Sequence, residues 1–118
     1  MEPKEFDEIE FPRGDTYPIM FELTDSEGNP LNTEDLELYF TMKKSYRTTD
    51  AILQKRLSRG EITIEGKNVS FILEHKDTAR LNYGSYVFDI ELKSGDYVKT
   101  LGKGTITLTD ESTHIANE

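Results

Sequence analysis

Apolar and polar residues alternate with a period of two along most of this chain, a pattern typical of β-strands with one buried face. The clearest run contains Tyr86, Phe88, Ile90 and Leu92, each separated by one residue of the opposite face. Similar alternation predicts further strands in 17–23, 36–42, 62–64, 69–73, 97–101 and 106–108. The pattern predicts an all-β chain of seven or eight short strands, spaced as in a β-sandwich.

Turn-forming residues separate these runs. Asp25–Pro30 and Glu65–Asn68 each contain a glycine among polar residues, which favours a turn. Ser94-Gly95-Asp96 is a hairpin signal, so 97–101 is expected to return beside the preceding strand. Gly102 and Gly104 leave the last strand without side chains for a stretch, which predicts a bulge or a close backbone approach.

Two segments depart from simple alternation. Ala51–Leu57 fits a short strand or a helical turn, and we interpret it as a strand, whereas Asp77–Leu81 is predicted to form one short helical turn. The predicted fold is therefore an immunoglobulin-like β-sandwich of antiparallel strands with one helical turn. Its predicted parts are an acidic N-terminal extension (1–10), the sandwich (11–109) and a polar C-terminal tail (110–118).

The predicted core consists of large apolar residues placed on separate strands. They are Phe21, Leu38, Phe40, Phe71, Phe88, Ile90 and Ile106, with Leu81 closing the end of the core. Tyr86 follows the flexible Gly84, and in immunoglobulin-like sandwiches a tyrosine at this bend bonds back to the preceding connection. We predict this structural corner for Leu81, Gly84 and Tyr86; the alternative is that Tyr86 is only a half-buried strand aromatic.

Three blocks of residues occur in an order that resembles a known family. They are Arg13–Thr16 at the start of the first long strand, Gly28–Leu31 in the first turn, and Asp77-Thr78-Ala79 followed by Leu81, Gly84, Tyr86 and Phe88-Asp89-Ile90. Together they resemble the immunoglobulin-like domain of tailed-phage structural proteins. The chain is similar to the N-terminal domain of the siphophage baseplate upper protein and to related prophage tail and neck modules, over about 11–108.

The resemblance implies a structural module of a virion, made in the cytoplasm of the bacterial host. It further implies protein–protein interaction with other phage structural proteins or with further copies of the chain. It implies no catalysis and no cofactor.

The amino-acid composition excludes several kinds of catalytic and metal-binding site. The 118 residues include no cysteine, which excludes disulfides, thiol nucleophiles and cysteine-based metal sites. Only two histidines are present, far apart in sequence, and no nucleophile elbow or phosphate-binding glycine loop occurs. We therefore assign no catalytic, metal-binding or cofactor-binding residue and predict that the chain is not an enzyme.

Net charge and hydropathy bear on partners. The formal charge is −9, the wrong sign for nonspecific nucleic-acid binding. No apolar run approaches the length of a membrane span, and the first ten residues are acidic where a signal peptide is basic. We expect neither a nucleic acid nor a membrane as partner.

Two short motifs have simpler explanations than the functions they suggest. Arg13-Gly14-Asp15 matches the integrin-binding tripeptide, but a turn that enters a strand explains it as well. Asp25, Glu27 and Asn29 suggest a calcium loop, yet Gly28 comes fourth where the EF-hand order needs the sixth position. Neither motif is assigned a ligand.

Positive charge is concentrated in 43–59, which has a net charge of +5 within an otherwise acidic chain. The basic residues of this candidate interface are Lys43, Lys44, Arg47, Lys55, Arg56 and Arg59. Three interpretations are open: protection of an exposed sheet edge, docking to an acidic neighbour or another copy, and local contact with DNA. The acidic remainder disfavours the last of these.

Two functions from different classes follow. The first is a non-catalytic assembly module of a phage or prophage tail, baseplate or neck. The second is a cell-surface or carbohydrate-binding β-sandwich, for which Tyr39, Tyr46, Tyr83 and Tyr97 are the candidate stacking residues. Convergence of these tyrosines on one surface would favour the second function.

Overall fold

Strands with one apolar and one polar face build two sheets that enclose the core. The computed structural model describes residues 4–5, 8–31 and 34–110. The strands in these ranges are β1 (Lys4–Glu5), β2 (Ile9–Pro12), β3 (Tyr17–Glu22), β4 (Leu36–Lys43), β5 (Leu53–Arg56), β6 (Ile62–Glu65), β7 (Asn68–Leu73), β8 (Gly84–Ser94) and β9 (Tyr97–Thr109). The all-β, two-sheet prediction is confirmed.

The larger sheet contains six strands and the smaller one three. In the larger sheet β9, β8, β4 and β5 are neighbours in that order, and β1 and β2 pair with β9 at different places along it. The smaller sheet has the order β3-β7-β6. Consecutive strands therefore alternate between the sheets at several points, which places the two sheets face to face around one core.

The N-terminal pairing differs from the prediction. Both β1 and β2 run parallel to β9, and Ile9 lies beside Ile106 in the register. The nine strands of the described ranges are thus more than the seven or eight expected, and they are not all antiparallel. β2 connects to the smaller sheet through Arg13–Thr16 and is not joined to β9 by a hairpin. Its direction beside β9 is therefore not restricted to antiparallel. Strand pairing also begins before the predicted boundary at residue 11.

Large apolar side chains form one core between the sheets. Seven of the eight predicted core residues are buried, among them Leu38, Phe40 and Ile106 at 0% exposure. The eighth, Leu81, is only partly buried and packs against the edge of the core. The aromatic ring of Phe40 packs between rings of both sheets. Its centroid lies 4.7 Å from that of Phe71 in the smaller sheet and 5.5 Å from that of Phe88 in the larger one.

The turns follow the glycine signals. Gly95 has a φ of 59° in the two-residue turn between β8 and β9, as the hairpin prediction requires. The predicted irregularity near Gly102 is a bulge: Ile90 pairs with Gly102 and Glu91 with Thr100, which leaves Leu101 as the extra residue.

Helical structure is short and occurs twice within the described ranges. A 3-10 helix spans Leu57–Arg59, directly after β5, so the strand interpretation of Ala51–Leu57 holds for four of its residues. α1 spans His75–Thr78 and begins two residues before the predicted turn. A capping box between Glu74 and Asp77 fixes its start, because each side chain accepts a hydrogen bond from the other residue's backbone. Of the predicted tail, 111–118 lies outside the described residues.

Candidate functional site

The basic residues of 43–59 lie at the end of β4, in the loop that follows it, and along the edge strand β5 and the 3-10 helix after it. β4 ends at Lys43, the next loop carries Lys44 and Arg47, and the 3-10 helix after β5 ends at Arg59. β5 is an edge strand, because β4 is its only strand partner in the described ranges. The expected edge position therefore holds for β5, but not for Lys43, which lies on β4 between β5 and β8.

Lys55 does not lie on an exposed interface, and that prediction is wrong. It stands opposite Phe40 in the β4–β5 register, and cross-strand neighbours share a face of the sheet. Phe40 faces the core, so the Lys55 side chain points inward too and is only 8% exposed. Its Nζ lies 2.8 Å from Oδ2 of Asp77, which is equally buried. The ion pair ties the edge of the larger sheet to α1.

An inward-pointing charge on a short edge strand has a further consequence. Such a charge discourages another chain from adding a strand to β5, because the added strand would bury the charged lysine further. β5 spans four residues and the 3-10 helix follows it at once. These features favour the edge-protection interpretation for β5 itself.

Arg56 and Arg59 are held by neighbouring side chains. The Arg56 guanidinium lies 5.0 Å from the centroid of Tyr39, and its Nε donates a hydrogen bond to Gln54 Oε1. Arg59 pairs with Glu61 at 3.1 Å and donates to the Gln54 carbonyl. Both arginines stay on the surface, but a partner would have to compete with these contacts.

Glu37 anchors the turn that carries Arg59. Its Oε1 accepts hydrogen bonds from the backbone N–H groups of Ser58 and Leu38. Burial raises the pKa of Glu37, but hydrogen bonds from Ser58 and Leu38 and the charge of Arg56 outweigh it and lower the pKa overall. The carboxylate therefore remains ionised in the folded protein and holds the 3-10 helix against β4.

The loop after β4 presents the accessible positive charge. Arg47 is exposed, and no hydrogen bond or ion pair is formed by its guanidinium with the described residues. Lys44 is exposed, with Nζ 3.4 Å from the Ser85 carbonyl oxygen and 4.7 Å from the Tyr86 ring centroid. Together with the half-buried Lys43, these residues form what we call the basic loop (43–49).

The tyrosine at the start of β8 makes the hydrogen bond expected of the structural corner. Tyr86 is 4% exposed, and its hydroxyl donates to the Asn82 carbonyl oxygen at 2.7 Å. Gly84 has a φ of 124°, a conformation that side chains disfavour, so glycine permits the bend into the strand. Arg13 donates to the Leu81 carbonyl and so ties this bend to the β2–β3 turn.

Tyr86→Phe is expected to lower the free energy of unfolding by about 1 kcal/mol, because the ring still packs but the Asn82 carbonyl loses its donor. Urea unfolding of both proteins measures the difference. Tyr39→Phe is the matched control, because no hydrogen bond is formed by the Tyr39 hydroxyl within the described part of the chain. Equal midpoints for Tyr86→Phe and the native chain would remove the corner role.

Arg13-Gly14-Asp15 forms a turn that packs against α1. Gly14 N–H donates to Thr78 Oγ1 at 2.8 Å, and His75 Nδ1 lies 2.8 Å from the Gly14 carbonyl oxygen. Gly14 has a φ of 85°, and a Cβ there would come within 3.3 Å of the His75 ring. The positive φ and the nearby His75 ring both favour glycine at this position, in agreement with the structural interpretation of this tripeptide.

The outer face of the larger sheet carries a shallow polar cleft of about 400 Å³. Its lining includes Tyr39, Gln54, Asp89, Glu91 and Lys93. Burial raises the pKa of Asp89, and the positive charge of Lys43 offsets part of that shift.

Tyr46 folds from the basic loop onto this face. Its hydroxyl lies 3.2 Å from the carbonyl oxygens of Phe88 and Gly104 and is placed to donate to either. Burial, followed by the negative charge of Asp89, raises the pKa of that hydroxyl. The loop is thus fastened to the sheet through Tyr46.

The candidate stacking tyrosines do not converge. Tyr39 and Tyr46 lie on the outer face of the larger sheet, but Arg56 covers the first and Lys103 approaches the second. Tyr83 contacts Arg13 beside the structural corner, and Tyr97 begins β9 at the opposite end of the sandwich. A continuous aromatic platform is therefore not formed by these four residues.

Ligand-binding groups remain scattered in the described ranges. No group of three or more histidine or acidic side chains that could hold a metal ion occurs there. Asp25 Oδ1 accepts hydrogen bonds from the backbone N–H of Glu27 and Asn29, so this carboxylate organises its own turn. Likewise, the helices within these ranges are too short and too polar to cross a membrane.

Comparison with known proteins gives no family. Neither a protein-family model nor a curated protein matches the sequence.

Proposed function

We propose that this chain is a non-catalytic structural module with an immunoglobulin-like fold that takes part in the assembly of a phage or prophage tail, baseplate or neck. It acts through contacts with other virion proteins or with copies of itself, and it uses no cofactor. The strand order of the two sheets and the corner at Tyr86 support the immunoglobulin-like fold, and the assembly role rests on the resemblance of the sequence to tailed-phage structural domains.

The strand order supports the immunoglobulin-like assignment. If β3 to β9 correspond to the immunoglobulin strands B, C, C′, D, E, F and G, the smaller sheet reads B-E-D and the larger one reads C′-C-F-G. This is the division of strands between sheets in that fold. Tyr86 then lies near the start of strand F and bonds to a carbonyl four residues upstream, as a tyrosine corner does.

The residues that carry the phage resemblance have structural contacts in this arrangement. Gly14 packs against α1, Asp77 pairs with Lys55, and Tyr86 closes the corner. A motif made of fold-forming residues fits a module whose role is to be a stable scaffold with variable contact surfaces.

Particle composition tests the proposal. Phage particles released from a strain that carries this gene, purified by density gradient and digested, are expected to contain peptides of this chain. Their abundance should keep a constant ratio to the major capsid protein across the particle peak. Peptides that stay in the soluble fractions and do not follow the particles would contradict the proposed function.

The basic loop is the first contact surface to test. Arg47→Glu is expected to reduce incorporation into particles by about tenfold, the order of effect that charge-guided encounter supplies. Lys76→Glu is the matched control, since it makes the same charge change on the exposed surface of α1, outside the basic loop, and is not expected to lower incorporation. Circular dichroism verifies that both variants fold. Normal incorporation of Arg47→Glu at low and physiological salt would remove the loop from the contact.

A further inference from the structure

Charge is separated along β4. The segment 22–37, which leads into this strand, contains six acidic residues and no lysine or arginine. The basic loop at the other end contains three basic residues and no acidic one. Eight residues of extended strand span about 25 Å, so these two segments of opposite net charge lie at opposite ends of the sandwich.

Two further turns lie at the acidic end, and one of them adds negative charge. The β4–β8 register places Leu36 beside Ser94, so the turn with Asp96 lies at the same end as the acidic segment. The turn at 65–68 lies at this end too, because Asn68 pairs with both Glu65 and Glu22; it carries Glu65 and Lys67 and so adds no net charge. We call this surface, formed by the turns at 23–31, 65–68 and 94–97, the acidic end.

An apolar cleft of about 530 Å³ opens at the acidic end. Its walls include Leu23, Leu31, Leu36, Leu92 and Leu101. All of these except Leu92 are only partly buried, so the cleft has apolar surface that a partner can cover. Asp25 and Lys99 also line the cleft, which places a carboxylate and an ammonium group beside the leucines.

We infer that the acidic end of one copy binds the basic loop of the next copy, in a head-to-tail contact that repeats through the assembly. The loop has the matching chemistry: Lys44 and Arg47 supply positive charge, and the ring of Tyr46, 52% exposed, supplies apolar surface. Opposite charges around an apolar centre fit the usual composition of a protein interface.

Charge also selects this contact over a two-fold one. A two-fold dimer through the acidic end pairs the acidic segment with itself, and one through the basic loop pairs the basic residues. Both cost free energy, whereas the head-to-tail contact pairs unlike charges. Contacts of this kind close into rings or extend into filaments, and this inference rests on the proposed assembly role.

Engineered cysteines test the contact, because the native chain has none. Ser26→Cys places a thiol on the rim of the cleft, and Ser45→Cys places one in the basic loop; both positions are exposed. When the two variants are mixed at high protein concentration under mild oxidation, the mixed disulfide is expected to predominate over either homodimer. A two-fold contact would instead give a disulfide between two copies of one variant.

Thr63→Cys, exposed on the smaller sheet, provides the control. We expect the Ser26→Cys and Ser45→Cys mixture to give about tenfold more mixed disulfide than Ser26→Cys with Thr63→Cys, and the excess to fall at high salt. Equal yields in the two mixtures, or predominant homodimers, would overturn the head-to-tail contact. Particle composition is an independent readout. If the chain is found in particles but the two cysteine mixtures give equal yields, the proposed function stands and the head-to-tail contact is wrong.

Discussion

Phe88→Ala is expected to lower the free energy of unfolding by about 3–5 kcal/mol, the usual cost of removing a buried aromatic ring. Phe88 is 1% exposed and packs against Phe40, which in turn contacts Phe71 of the other sheet. The cavity would therefore open where the two sheets meet. Since small domains are stable by about 5–15 kcal/mol, the variant should unfold at a much lower urea concentration.

Val87→Ala is the matched control for this prediction. Val87 is the preceding residue of β8, points to the opposite face and is only partly buried. Its truncation removes less buried surface and should cost clearly less than truncation of Phe88. Similar losses for the two variants would contradict the assignment of Phe88 to the inter-sheet core.

Lys55→Glu is expected to destabilise the protein by about 3–5 kcal/mol, because breaking a buried ion pair leaves an uncompensated charge. The substitution also places a second carboxylate beside Asp77, which already accepts a hydrogen bond from the backbone of Glu74. Loss of this pair should loosen α1 from β5. Chemical denaturation followed by circular dichroism measures the effect.

Arg56→Glu makes the same charge change one residue away. Arg56 lies on the opposite face of β5, where solvent screens its contacts with Tyr39 and Gln54. A loss of no more than about 1 kcal/mol is expected for this half-buried surface position. Equal losses for Lys55→Glu and Arg56→Glu would show that the inward orientation of Lys55 does not govern stability.

The alternation of apolar residues was sufficient to predict the sheets and most of the core. Phe40, Phe71 and Phe88 occupy alternate positions of their strands. Large apolar side chains spaced in this way lie on one face of a sheet, and that face packs in the interior. The turn at Gly95 could also be predicted from the sequence, because glycine readily adopts the positive φ that this turn requires.

Lys55 shows where residue type misleads. Lysine is usually exposed, so composition placed Lys55 among the surface charges of 43–59. Period two gave the opposite answer, because Lys55 shares a face with Leu53, which packs against the core. The signal was present in the spacing, but its partner Asp77 is 22 residues away and pairing at that range is not visible in the sequence.

The pairing of β1 and β2 with β9 could not be predicted from the sequence, for a related reason. β1 and β2 pair with a strand almost a whole chain length away in sequence, as when Ile9 lies beside Ile106 of β9. No turn signal specifies a parallel pair between such distant segments. The acidic end and its cleft have the same origin, since they combine turns that come together only in the folded sheets.

An electron-microscopy map of the assembled particle tests the central claim most directly. The claim predicts repeated density for this two-sheet domain, with the basic loop at 43–49 in contact with a neighbouring subunit. A map that shows the domain with this loop facing solvent in every copy would contradict the contact. A map of a complete particle with no density for the domain would contradict the assembly role itself.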